Sequence, residues 1–426
     1  DWAISPEKVR RPYNFATARI KAFEPPPGSL PMEDLSDATF TIRGLSVTHP
    51  TNQATYTMGT SVQQGLQWYS AATEDTTAEF SYAADGSNFQ DVIMFGPNPF
   101  TGNADAGAGF NRQTWEVSRS HMPSENARIK VEAGEHDAVS PPFVLRGIRI
   151  TRPDSEDVLE IGKQETLRWA NAGISSAAIV SNDLSSAGVD GPYINAGLPT
   201  NARLFNFSAF WNVDPEADPT TNAVIRMSVI EPAEDTDIVM YSDPFSLKGL
   251  KVVSPARGDN WALGTTEEVR FLAAAMGSTA RADLYYSPDG TDFDLENPIA
   301  EGVTIRDGVN AVQWNIENDR ILTRTPSTNA HVMVVYGSYT NISKPFTVSG
   351  IKVTSPRGSD IWAVSDETNT IRWAQVNAPG PYTIDFSLWD DGKVDYNEEI
   401  ASGVTGLEHT WFMTTNSIGS NVTISV

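Results

Sequence analysis

A chain of 426 residues has room for three or four ordinary domains, and 40% hydrophobic against 20% charged residues describes a folded protein rather than a disordered one. Its formal net charge of −24, from 54 acidic and 30 basic residues, excludes the basic face that nucleic-acid binding requires. The absence of cysteine excludes disulfides and thiolate metal sites, and no apolar run approaches the roughly 18 residues of a membrane span.

Residues 1–44 read as the last third of a repeat. Trp2-Ala3-Ile4 resembles Trp314-Asn315-Ile316, and Ala18-Arg19-Ile20-Lys21-Ala22 resembles Ala127-Arg128-Ile129-Lys130-Val131, with a Pro25-Pro26-Pro27-Gly28 loop inserted between them and the strand Asp37–Gly44. A string Phe-x-(Leu/Val/Ile)-x-Gly-(Ile/Leu)-x-(Val/Ile)-x-x-Pro starts at Phe40 and recurs at Phe143, Phe245 and Phe346. Its glycines, Gly44, Gly147, Gly249 and Gly350, stand 103, 102 and 101 residues apart. So regular a period means one domain type in tandem. The expected domains are 45–147, 148–249, 250–350 and 351–426, the last without its closing strand.

Within 250–350, Leu250–Val253 reads as a short strand ending at Pro255, and Glu268–Phe271 alternates polar and apolar as a half-buried strand does. Ala282–Tyr286 follows, turned by Ser287-Pro288-Asp289-Gly290. Then come Ile299–Val303, Val312–Ile316, His331–Val335 and the closing Phe346-Thr347-Val348. Seven or eight short strands without helical period predict an all-β protein of tandem immunoglobulin-like antiparallel sandwiches. Trp68, Trp169, Phe271 and Trp373 share one slot of the repeat, and Trp115, Trp211, Trp314 and Trp411 share another. Rings demanded by every copy are expected in the cores rather than on a sugar-binding platform. Trp389, outside the pattern, is the better candidate for exposure.

At the joint Pro142–Ile150, the last strand of one copy runs into the first strand of the next through Gly147 alone, with no Gly/Ser tether or proline spacer. A short, restricted hinge and a stiff end-to-end rod are expected. Residues 421–426 match 330–335, so the fourth copy stops before its closing strand. Either the sequence is a window of a longer array, which the duplicated strand in residues 1–44 favours, or a neighbouring molecule supplies the missing strand and builds a filament.

Catalytic patterns are missing. His49, His121, His136, His331 and His409 form no ligand pair, and no nucleophile elbow or phosphate loop occurs. Arg257-Gly258-Asp259 occupies the position of the plain turn Arg357-Gly358-Ser359-Asp360. Asn206, Asn341 and Asn421 each begin an Asn-x-Ser/Thr triplet, a number close to chance in such a composition. The best metal candidate is calcium at Asp390, Asp391 and Asp395, carboxylates set around Gly392, although that segment also fills a hairpin slot of the repeat.

The phrase Ile351-Lys352-Val353-Thr354-Ser355-Pro356, followed by Ile361-Trp362-Ala363-Val364 and Ile371-Arg372-Trp373, resembles the β-sandwich modules of the serine/threonine-rich, GPI-anchored membrane family. That family is related to yeast cell-wall glucan-assembly proteins, and similar modules recur in large bacterial surface proteins. The resemblance covers all four copies, least of all the second, and implies an extracellular or cell-wall location with a structural or adhesive role and no catalytic residues. The expected function is a non-enzymatic structural protein at the cell surface, self-associating into a filament or lattice and with cell-wall polysaccharide as a candidate partner. The alternative is an adhesin or the carbohydrate-binding stalk of a larger secreted protein.

Overall fold

The computed structural model describes residues 21–23, 33–35, 43–71, 78–93, 109–316, 325–364 and 369–426. Trp2, Ile4, the Pro25–Gly28 loop, Phe40, Gly96 and Ser365 lie outside the described residues. Of the expected partial repeat, the structure describes an antiparallel pairing of Lys21–Phe23 with Glu33–Leu35. Among these residues, beyond a few 3-10 turns, every element is a strand. The chain divides into two compact units, residues 1–157, 162–214 and 223–245 forming one and residues 158–161, 215–222 and 246–426 the other.

In the first unit, Gly44–His49 pairs with Ser61–Ala71, which pairs with Gly109–Glu116. A second sheet runs from Asp91–Val92 through Glu79–Ala83 and Ser124–Ala133 to Phe143–Arg152. Thr55–Thr57 joins it parallel to Val144–Arg146. Along Ser124–Ala133 the residues Ala127, Ile129, Val131 and Ala133 are buried and their neighbours are not, the period of two that a sheet with one dry face imposes. Farther along, Phe143–Arg152 pairs with Gln164–Ala172, which pairs with the edge strand Ser208–Asn212. Ile179–Ser185 lies beside Thr220–Glu231.

The second unit repeats the plan. Phe245–Ser254 pairs with Thr266–Ala274 and that with Gly308–Asn315, while Ala300–Thr304, Arg281–Ser287, Ser327–Tyr336 and Phe346–Ser355 form the other sheet. Phe346–Ser355 continues through Asn369–Val376 to Glu408–Trp411. A last sheet places Tyr382–Asp390 between Lys393–Val404 and Val422–Ser425. These are tandem immunoglobulin-like sandwiches, as the alternation predicts. All eight ring slots are core: Trp68, Trp115, Trp211, Phe271 and Trp314 are at most 2% exposed and Trp411, the least buried, is 8% exposed.

One strand in each of three copies was not legible in the sequence. His136–Val139, Val239–Tyr241 and Tyr339–Ile342 each fold back on the preceding strand. Each short hairpin ends in a buried serine, Ser140, Ser242 or Ser343, whose hydroxyl accepts the N–H of Ile129, Ile225 or Val332 at 3.0, 2.9 and 2.9 Å. The serine N–H in turn donates to the carbonyl of that same residue. The latch satisfies both backbone groups where the hairpin leaves the sheet.

Candidate functional site: the joints and a repeat-breaking edge

The joints are built from the strands Phe143–Arg152, Phe245–Ser254 and Phe346–Ser355, each ten unbroken residues. In the first, Phe143 and Leu145 are buried on one side of Gly147, and Ile148 and Ile150 on the other. Burial passes from odd to even positions at the glycine, so one strand serves two successive cores. The second joint does the same, with Phe245 and Leu247 followed by Leu250 and Val252. A Cβ on Gly147 would lie 2.6 Å from Met58 Sδ and 3.0 Å from Met58 Cβ. On Gly249 it would lie 2.8 Å from Ile161 Cδ1, and on Gly350, at φ +143°, 3.0 Å from three atoms of Leu263. Met58, Ile161 and Leu263 occupy one slot of the repeat, just before Gly59, Gly162 and Gly264. The joint glycine is therefore a packing site against its own domain as well as a change of strand face.

Side chains then lock the joints differently. Arg146, just before Gly147, donates to Asp235 and Asp237 of the following repeat at 2.8 Å each. Asp235 is buried and also accepts the Ser175 N–H at 2.9 Å. Hydrogen bonding to Arg146 holds the Asp237 carboxyl below the usual carboxylate value and the same carboxylates raise the guanidinium. Glu125 accepts the Gly173 N–H at 2.7 Å, and Arg119 stands over the Tyr241 ring at 5.3 Å. At the next joint Lys248 takes the place of Arg146 and lies 4.9 Å over the Tyr339 ring, whose hydroxyl donates to Glu160 at 2.5 Å. Lys251 bonds Asp218 at 2.7 Å and Lys344 bonds Glu216 at 2.8 Å. At Gly350 the corresponding residue is Ser349, whose hydroxyl turns back to the Trp261 carbonyl at 3.1 Å.

The second repeat departs from the pattern along its edge strand. Where the other copies place Thr114, Gln313 and Thr410, it has Phe210, 73% exposed, and in the slot of Asn111, Asn310 and Leu407 it has Phe207. Phe205 and Phe207 meet edge to face at 5.9 Å and both are exposed. Ser208–Asn212 is the outermost strand of its sheet among the described residues. Sequence reasoning looked for exposure among tryptophans and missed these rings. Trp389, expected exposed, is half-buried, with its indole N–H donated to Thr423 Oγ1 at 2.8 Å.

Asp390, Asp391 and Asp395 fall on a hairpin. Asp391 and Gly392, at φ 46° and 75°, form its two-residue turn, Asp390 pairs across to Lys393, and Asp395 is exposed on the returning strand. Among the described residues no group of three or more His, Asp or Glu side chains is placed to hold a metal ion. Asp259 of the Arg-Gly-Asp triplet caps a turn by accepting the Ala256 N–H at 2.8 Å, as Asp157 and Asp360 do for Asp154 and Arg357 at 2.9 and 2.7 Å. Asn341 is also used structurally, accepting the Val252 N–H at 2.8 Å. His121 is buried against Tyr82 at 4.7 Å; burial pushes its imidazole below the usual value, with Asp91 opposing.

No protein-family model matches the chain, and no curated protein matches it. Among the described residues no helix is long and apolar enough to cross a membrane. Similar solved structures are tandem β-sandwiches. The I9–I11 tandem from titin is 8% identical over 71% of this chain and 98% of that one, at a TM-score of 0.17. The ICAM-5 D1–D4 ectodomain fragment is 12% identical over 85% and 99%, at 0.17. The Clostridium thermocellum CbhA fibronectin(III)-like modules are 10% identical over 48% and 91%, at 0.15. Similarity at this level carries no weight for function, and the immunoglobulin-like assignment rests on strand order and register.

Proposed function

We propose that the chain is a non-enzymatic structural protein of the cell surface, a tandem array of sandwiches that keeps spacing and transmits load within a layer, fibre or filament. The observation that carries this reading is the joint. A strand shared by two cores, with a packed glycine and no tether residues, gives successive domains few ways to move independently. Ion pairs from Arg146 to the next repeat add a side-chain lock. Small-angle scattering of the full chain tests it. An extended, narrow distance distribution is expected, and inserting Gly-Ser-Gly-Ser after Gly147 should broaden it. A wild-type chain that scatters as a compact or freely jointed particle, unchanged by the insertion, would overturn the reading.

A second reading, an adhesin or the polysaccharide-binding stalk of a larger secreted protein, is favoured by one observation, the exposed phenylalanines of the second repeat. Glycan-array binding lost in Phe210→Ser would support it.

A further inference from the structure

Two edge strands break the repeat, and their chemistries are opposite. The first is Ser208–Asn212 in the second repeat, with exposed Phe205, Phe207 and Phe210 around it. Arg168 lies directly opposite Ser208 in the register, while Arg203, just before this segment, pairs with Ile179 at the edge of the other sheet; both are exposed, and neither makes an ion pair among the described residues. Two free arginines beside three exposed rings are conspicuous on a chain of net charge −24.

The second is Lys393–Val404 in the fourth repeat. It is twelve residues long where Ala300–Thr304 in the third repeat has five, and it is an outermost strand of its sheet among the described residues. Residues 390–399 carry five carboxylates and one lysine. Val394, 48% exposed, and Glu399 pair with Trp389 and Asp385 and so share one face, while Tyr396 pairs with Leu388 on the other face and lies 6.4 Å from the Phe386 ring.

An exposed edge presents unpaired backbone groups that template another strand, and charge on the edge is the usual protection. Here the protection is selective. Two acidic edges repel each other, as do two arginine-bearing edges, whereas one of each attracts.

We infer that the Ser208–Asn212 edge of one molecule is the docking site for the Lys393–Val404 edge of a second copy of this chain, added as an antiparallel strand. Glu399 and Val394, which share the outward face of their strand, meet Arg168 and Phe210, which share the outward face of the other. Because the two edges lie on different repeats, each contact leaves one of each kind free, and the contact is heterologous. The inference rests on the structural reading above and supplies its contact.

Sedimentation velocity of the full chain over a concentration series, at low and at physiological salt, tests it. The wild type should form multiples of 46.3 kDa that grow with concentration and shrink with salt. Arg168→Glu should weaken association by about tenfold or more, and so should Glu399→Lys; the two changes together should restore most of it. These are exposed positions, and circular dichroism of each variant checks that the sandwiches persist. A wild type that stays at 46.3 kDa throughout overturns the contact, as does association indifferent to either reversal. If scattering nevertheless shows an extended chain, the structural reading survives that failure.

Discussion

The joint at Gly147 and the joint at Gly350 share one backbone design and differ in what locks it. Both are ten-residue strands with a glycine that packs against its own domain. At Gly147 the following core closes fully on the strand, with Ile148 and Ile150 each 1% exposed, and Arg146 reaches Asp235 and Asp237. At Gly350 the following residues Ile351 and Val353 are only half-buried, and Ser349 bonds back into its own domain. Strand continuity is thus a property of the repeat, whereas the lock is decided joint by joint by the side chains around it.

The largest expected effect separates the two. Arg146→Ala leaves the buried Asp235 carboxylate without its guanidinium and should destabilise the first unit by about 3 kcal/mol. Ser349→Ala removes a half-buried neutral bond and should cost about 1 kcal/mol or less. Chemical denaturation of both variants measures the difference, and equal losses would erase the distinction.

Gly350→Ala should cost about 2 kcal/mol, from backbone strain at φ +143° and a Cβ pressed on Leu263. Trimming the neighbour in Gly350→Ala/Leu263→Ala should make the two costs less than additive. Additive losses in the cycle would mean that no contact is shared.

Ala275 stands at φ 57° in the slot that holds Gly173 and Asn377, both also at positive φ. Ala275→Gly should raise stability by up to about 1 kcal/mol, since a left-handed alanine costs roughly that much. A lower melting temperature would refute the assignment.

Acid should act on the first unit in two stages. His121 has its folded-state value held below the ordinary 6.5, so the unfolded chain takes up the proton first and stability falls as pH drops through that range. Asp237 is held below the ordinary 3.8, so the stabilisation it adds is complete above that value and is lost progressively as pH falls from there through the lower folded-state value. Melting curves from pH 7 to 3 should show the first loss without Arg146 and the second only with it.

The smallest effect concerns calcium. With Asp390, Asp391 and Asp395 spread along a hairpin, titration should leave the melting temperature unchanged; a rise abolished by Asp391→Asn would establish calcium there.

The period, the ring slots and the joint strands were readable because each is a local pattern repeated about every hundred residues. Alternation names the buried face of a strand, and recurrence turns a chance ring into a core position. The folded-back hairpins escaped because Tyr339–Ile342 is four residues long and lies exposed by turns, below what alternation can resolve. The exposed phenylalanines escaped for the opposite reason. Phe210 sits beside core Trp211, and hydrophobicity alone cannot say which of two neighbours faces outward.

The sequence by itself determined that this is an acidic, cysteine-free array of one sandwich type whose domains share strands. Only the tertiary structure decided which joint is locked and which edge is open. Arg146 meets Asp237 across 91 positions of chain, and an edge exists only where no strand follows in space, so neither is encoded in any local window.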